Sequence, residues 1–253
     1  MRYRLNKIFK NFLVSAAILA SVSALGQEER LLLAQELMKR NPDSALIVMD
    51  SAIIHPQTKN DFVTWTTRAY IYYKIYGKST TEKLKLNSPL RDSILSSLKV
   101  SDGLKPDSTN LENNKRLYKN IGIGYNKVMK MYLEDSNNYA KSLEAFTRFK
   151  ELVKKAEPNF NFESKEIEYY LSVGSTFSDI FNKDNNNSKA EEIAKVALMK
   201  VLEMKPNDTH ANLNLGLMYY NQAVGLVKSL DVGVDFAQID IIQDNMIKLA
   251  KQS

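Results

Sequence analysis

Histidine, carboxylate and amide side chains are the groups of this sequence that could perform acid–base or metal chemistry. The chain has only two histidines, His55 and His210, and it has no cysteine. His55 precedes a proline and His210 lies near a predicted helix start, and neither accompanies a glycine-rich phosphate loop, a metal-spaced histidine pair or a nucleophile motif. We therefore expect a non-enzymatic protein with no catalytic residue, no metal and no cofactor.

One segment has the oxygen donors that calcium prefers. In "NKDNNNS", residues 182–188, Asp184 and Asn186 alternate as ligands do in calcium loops. A complete loop also needs further carboxylates, a turn glycine and a closing glutamate, which this segment lacks. The composition instead predicts an exposed connection between helices.

The first 26 residues have the three-part layout of a secretory signal peptide. Four cations, Arg2, Arg4, Lys7 and Lys10, precede an apolar run over 12–25, and Ala24 and Gly26 occupy the two small-residue positions of a cleavage site. The run is shorter than the roughly 20 residues that cross a bilayer, and no cysteine follows for lipid attachment. We expect cleavage before Gln27, export to the periplasm or beyond, and no transmembrane segment in the mature chain.

Most of the excess positive charge belongs to this N-terminal segment. The formal charge of the whole chain is +6, but the first 26 residues hold four of the 35 basic residues and none of the 29 acidic ones. The remaining chain is therefore close to neutral. A nucleic-acid partner is not expected, because such proteins concentrate basic residues on their binding surface.

Beyond residue 27 the hydrophobic pattern is helical throughout. A typical stripe follows the spacing of one helix face: Ala190, Ile193, Ala194, Ala197, Leu198, Val201 and Met204. All six prolines fall at predicted helix boundaries, with Pro42 and Pro89 in first-turn positions. The pattern predicts an all-α fold.

Three glycines recur at one position of this pattern. Gly122, Gly174 and Gly216 each follow a large apolar residue and precede an aromatic by three residues. Gly122 and Gly174 are 52 residues apart, and the same offset relates Ser142, Phe146 and Phe149 to Ala194, Leu198 and Val201. A pair of helices is therefore repeated. A glycine inside a helix costs about 1 kcal/mol relative to alanine, so we expect it to permit close packing of the second helix.

The repeated segments resemble the tetratricopeptide repeat family. "YKNIGIGY", "YLSVGSTF" and "NLNLGLMYY" are similar to the first helix of that repeat, and "AKVALMKVLEMKP" is similar to the second. The resemblance covers residues 28–253 and implies a right-handed α-solenoid of antiparallel helix hairpins, in one domain over 27–253. The spacings of 52 and 42 residues exceed the usual 34, which predicts extended helices or loops. The five expected hairpins are 28–58, 60–107, 112–158, 164–207 and 209–253.

The resemblance also implies a binding surface, since ligands of this family often lie against the inner face of the first helices. The matching positions here are Thr66, Tyr70, Tyr73, Lys119, Ile123, Asn126, Lys127, Ser175, Leu213, Leu217 and Tyr220. Mixed aromatic and polar groups suit a protein or peptide. The alternative is that these tyrosines are merely exposed on long helices and bind no ligand. Only a fragment of the family's lysine and asparagine carboxylate clamp is present, at Lys119, Asn126 and Lys127.

The C-terminal segment carries a further apolar stripe, formed by Ile239, Ile242, Met246 and Leu249. It could pack on the preceding helix, on a partner or on a second copy of the chain, and the sequence leaves these open. The expected function is a scaffold or assembly factor of a bacterial cell envelope that binds a partner protein. The alternative is a soluble solute-binding component that recognises a glycan or small ligand.

Overall fold

The computed structural model describes residues 27–133, 136–228, 241, 243–245 and 247. Every secondary-structure element within these residues is helical, which confirms the predicted all-α class. The predicted signal peptide, residues 1–26, lies outside the described residues. So does the predicted C-terminal stripe of Ile239, Ile242, Met246 and Leu249.

The helices follow the predicted hairpins closely. The first two hairpins contain α1 (Gln27–Arg40), α2 (Pro42–Ala52), α3 (Phe62–Lys78), the short α4 (Thr80–Leu84) and α5 (Pro89–Gly103). The later ones contain α6 (Ser108–Leu133), a 3-10 turn (Ser136–Asn138), α7 (Tyr139–Ala156), α8 (Glu163–Lys183), α9 (Ser188–Met204) and α10 (Thr209–Lys228). The sequence pattern did not predict α4.

Capping side chains fix two of these helix starts. The Asn41 carboxamide oxygen accepts a hydrogen bond from the backbone N–H of Ser44, and Pro42 occupies the first turn. Ser88 caps α5 in the same way through the N–H of Arg91, and Pro89 follows it. Proline fits there because the first N–H groups of a helix have no partner within the helix. The predicted first-turn positions of both prolines are confirmed.

The chain forms two compact units, which are described separately. The first comprises Met1–Met129 and Glu144–Phe160, and the second comprises Lys130–Leu143 and Asn161–Ser253. Two of the three divisions fall inside α6 and α7, where the sequence has no linker composition, and the third falls in the connection between α7 and α8. The first two boundaries could therefore not be predicted from composition.

The same packing pattern occurs in both units. In the first unit α1 packs on α2, and both contact α3, the first helix of the next hairpin. In the second unit α8 packs on α9, and both contact α10. In these two cases both helices of a hairpin pack against the first helix of the hairpin that follows.

The predicted close approach at the repeated glycines is confirmed for two of them. A Cβ added at Gly122 would lie 3.2 Å from Leu152 Cβ and 3.2 Å from Val153 Cγ2 on α7. A Cβ added at Gly174 would lie 2.6 Å from Leu198 Cγ on α9. Gly122 and Gly174 are buried, whereas Gly216 on α10 is only half-buried. The first two glycines are needed because a larger residue would separate the two helices of the hairpin.

A fully buried arginine, Arg91, holds the unexpected α4 in place. Its guanidinium donates to the Tyr76 hydroxyl at 3.0 Å, to the Lys83 carbonyl at 3.0 Å and to the Leu86 carbonyl at 3.3 Å. It also lies 4.3 Å from the centre of the Tyr125 ring. Carbonyl and phenol oxygens thereby replace the water that this charge loses on burial.

We predict opposite effects for two glycine-to-alanine substitutions. Gly174→Ala should lower the free energy of unfolding by about 1–3 kcal/mol, because the added methyl group overlaps the fully buried Leu198. Gly77→Ala, on the exposed end of α3 with nothing within 4 Å of the added atom, should raise it by up to about 1 kcal/mol. Urea denaturation measures both. Stabilisation by Gly174→Ala would contradict the packing role of that glycine.

Candidate functional site

Helices α1, α3 and α6 form an open cleft within the first unit. Its volume is about 520 Å³, and its lining includes Leu32, Gln35, Met38 and Lys39 of α1, Val63, Thr66, Thr67 and Tyr70 of α3, and Asn110 and Asn113 of α6. Two of the residues predicted for partner binding, Thr66 and Tyr70, therefore lie in one cleft.

The floor of the cleft is polar and already hydrogen-bonded. The Thr66 hydroxyl donates to Asn114 Oδ1 at 3.0 Å and lies 2.8 Å from the Ser101 hydroxyl. Gln35 Nε2 donates to the Thr67 hydroxyl at 3.4 Å. Because Thr66 is buried and its hydroxyl is engaged, it supports the floor instead of offering a free group to a ligand. Asn114, which organises this network, was not predicted from the sequence.

Tyr70 forms a half-buried wall of the cleft. Burial raises the pKa of its phenol above the ordinary value, and the nearby positive charge of Arg116 acts in the opposite direction. Among the described residues its hydroxyl has no hydrogen-bond partner. The phenol therefore offers a ligand both an aromatic ring and a polar group.

Neutral amides, apolar side chains and the charged Glu36 and Lys39 complete the cleft. Gln35, Asn110 and Asn113 are half-buried, and a carboxamide can both donate and accept hydrogen bonds. Leu32 at the rim is 65% exposed and adds an apolar contact surface to the cleft. The combination can bond a polar backbone while it contacts an apolar side chain.

The other predicted residues of the first unit do not line this cleft. The Lys119 ammonium lies 2.6 Å from Glu157 Oε1, so it is already paired. Ile123 and Lys127 are exposed, and Tyr73 and Asn126 are half-buried. The engagement of Lys119 further weakens the fragment of a carboxylate clamp that the sequence indicated.

The remaining predicted residues belong to the second unit. Ser175 is half-buried on α8, and Leu213, Leu217 and Tyr220 are exposed on α10. Their spacing of four and three residues places the α10 side chains on one face of that helix.

Sequence reasoning missed the contributions of α1 and of the beginning of α6. Leu32, Gln35 and Met38 belong to a helix without the glycine and aromatic signature, although the buried Ala34 takes the place of the small residue. Asn110 and Asn113 precede the first signature residue of α6, Tyr118. The only sequence signal for these five residues was the alternation of exposed and buried positions along α1 and the start of α6.

The histidine and carboxylate side chains, which could perform acid–base or metal chemistry, are dispersed. His55 Nδ1 accepts a hydrogen bond from the backbone of Gln57 at 3.3 Å, and His210 is exposed at the start of α10. Within the described residues, no group of three or more histidine, aspartate or glutamate side chains is arranged to hold a metal ion. In the same part of the chain, no helix has both the length and the apolar character needed to cross a membrane.

No protein-family model, curated protein or solved structure matches this chain. The cleft is therefore interpreted from its own geometry.

Substitution of Arg116 tests whether its charge faces the Tyr70 phenol in the cleft wall. Because that charge lowers the Tyr70 pKa against the effect of burial, Arg116→Gln should move the phenol titration to higher pH. Carbon-13 NMR of labelled tyrosines measures the shift, and Tyr70→Phe identifies the signal. An unchanged titration would mean that Arg116 does not face Tyr70.

Proposed function

We propose that this protein is a non-enzymatic binding module that captures a segment of a partner protein in the cleft of the first unit. The observation that carries the proposal is the combination of the half-buried Asn113 carboxamide, the Tyr70 hydroxyl, which has no hydrogen-bond partner among the described residues, and the exposed Leu32 around one open cleft of about 520 Å³. Interfaces for proteins are enriched in such aromatic anchors with adaptable polar groups around them.

An extended peptide satisfies these groups better than a folded surface does. Its backbone presents donors and acceptors that the Asn113 carboxamide can pair, and one of its side chains can contact Leu32, Met38 and Val63. Gln35 and Asn110 already donate to Thr67 and Asp107, and their carboxamide oxygens can still accept a hydrogen bond from the peptide. The Thr66 hydroxyl of the floor is engaged with Asn114 and supports the cleft.

The wider architecture that we propose is a tetratricopeptide-like solenoid exported to the cell envelope. The repeated glycine contact and the packing of hairpins against the next first helix support the repeat class. The basic, apolar and small-residue layout of residues 1–26 supports export. A scaffold or assembly role follows from partner capture without catalysis.

Recognition of a glycan or small solute is the second candidate. The cleft volume of about 520 Å³ falls within the range of roughly 300–1,000 Å³ that small ligands occupy in proteins. Such a ligand would raise the melting temperature of the isolated protein with no partner present. A peptide-binding module would show this effect only with the partner segment.

We predict that Leu32→Glu strongly reduces partner capture in the native envelope. A carboxylate at the rim would be buried against an apolar side chain of the partner, which should weaken binding at least about tenfold, or about 1.4 kcal/mol. Chemical crosslinking of the tagged protein followed by mass spectrometry measures the capture.

Ile54→Glu is the matched control for this variant. Ile54 is also an aliphatic residue of the first unit and is 76% exposed, but it does not line the cleft. It should leave capture unchanged, and both variants should melt like the parent. A partner that is recovered equally with both variants would refute the cleft as the site.

A further inference from the structure

Positively charged side chains surround one end of the cleft. Thr66 of α3 bonds to Asn114 of α6, and one turn further along α3 the Tyr70 phenol experiences the charge of Arg116, which also lies further along α6. Lys39, near the C-terminal end of α1, lines the cleft together with Tyr70. Lys39, Tyr70 and Arg116 therefore mark one end of the cleft, the Tyr70 end.

The cations of the Tyr70 end have no strong partner of their own. Lys39 is exposed, and so is Lys74, which follows Tyr70 by four residues and therefore lies on the same side of α3. Among the described residues neither ammonium group forms a hydrogen bond or an ion pair. Arg116 Nε lies 4.0 Å from Glu112 Oε1, and the two side chains are 69% and 56% exposed, so this pair contributes little. These charges are available to a ligand.

The acidic side chains around the cleft do not cancel this positive charge. Glu36 is the one acid among the described residues that line the cleft, and its Oε1 lies 4.0 Å from Arg40 Nη2. Helix α3 contains no aspartate or glutamate. Asp107 precedes α6, away from the Tyr70 end, and it already accepts hydrogen bonds from the backbone N–H and the carboxamide of Asn110. The Tyr70 end thus retains a surplus of positive charge.

We propose that the captured segment of the partner carries an aspartate or glutamate whose carboxylate binds at the Tyr70 end. This inference rests on the proposed function and names the chemistry that the cleft selects. A carboxylate only accepts hydrogen bonds, and the Tyr70 hydroxyl, which has no partner among the described residues, can donate one. Lys39 and Arg116 attract the same charge, and charge-assisted hydrogen bonds are stronger than neutral ones. An acidic side chain therefore binds in preference to its amide counterpart.

The length of the cleft sets the spacing of residues in the captured segment. Leu32 and Val63, the first residues of α1 and α3 that line the cleft, offer an apolar surface away from the Tyr70 end. From Val63 to Tyr70 the helix rises about 10 Å, at about 1.5 Å per residue. An extended peptide covers this distance in about three residues, at about 3.3 Å each. The acidic residue of the segment therefore lies about three residues from a large apolar one.

Selection from a library of random peptides tests this preference on the full chain. The peptides are displayed at the N-terminus of a phage coat protein, so that none has a free terminal carboxylate. Peptides retained by the parent should carry aspartate or glutamate about three residues from a large apolar residue. A Lys39→Gln, Arg116→Gln variant should lose this preference. A Lys59→Gln, Lys99→Gln variant, which removes two exposed cations that do not line the cleft, should keep it.

The affinity of one retained peptide measures the same contact. In fluorescence polarisation, replacing its acidic residue by the corresponding amide should weaken binding to the parent at least about tenfold, the usual size of a lost hydrogen bond to a charged group. The replacement should have little effect on the Lys39→Gln, Arg116→Gln variant, because the contact is already lost. Both double variants should melt like the parent.

Failure of this inference is distinguishable from failure of peptide capture. Leu32→Glu should release the retained peptides if they lie in the cleft. Suppose that it releases them, but that they show no acidic preference or that their acidic residue matters equally on the Lys39→Gln, Arg116→Gln variant. The carboxylate site would then be overturned, while the cleft would remain a peptide-binding site. No enriched peptide, or peptides that bind Leu32→Glu as well as the parent, would overturn both.

Discussion

The close contact between the two helices of a hairpin at Gly122 and Gly174 is the constraint on which each unit depends. At Gly122 the added Cβ would also lie 3.4 Å from the Phe149 carbonyl oxygen, so backbone as well as side chains fills the space. Because the second helix is held on this side, the first helices leave a different face free. In the first unit that face forms the cleft, and in the second unit it forms the exposed row of α10.

Tyrosine and lysine side chains add contacts within these hairpins and, at Asp102, between neighbouring ones. In the first unit the Tyr118 hydroxyl donates to Asp102 Oδ2 at 2.8 Å, and the Lys155 ammonium lies 4.1 Å from the centre of its ring. Burial and the Asp102 carboxylate hold the pKa of Tyr118 well above its usual range. In the second unit Lys200 lies 4.7 Å from the centre of the Tyr170 ring. These tyrosines contribute to packing, and Tyr70 stands apart because its hydroxyl has no such partner among the described residues.

Periodicity and spacing predicted the helix class and the close contacts at two glycines, because these depend on local apolar patterns. They did not predict α4, since its position depends on hydrogen bonds from the distant Arg91 to backbone carbonyls. They also placed Thr66 at a ligand surface, although its hydroxyl is used within the unit. A polar residue on an inner helix face has the same sequence signature whether it bonds a ligand or a neighbouring helix, and only the structure distinguishes the two.

Site-specific photo-crosslinking at position 70 tests the central claim most directly. A photoreactive phenylalanine analogue in place of Tyr70 would lie in the cleft, whereas the same analogue in place of Tyr72 would lie against the Arg68 guanidinium, whose carbon is 4.8 Å from the centre of that ring. In the native envelope, position 70 should crosslink to one short segment of a partner protein, and position 72 should not. Crosslinking to the same partner from position 72 alone, or to no protein from position 70, would contradict a peptide-binding cleft.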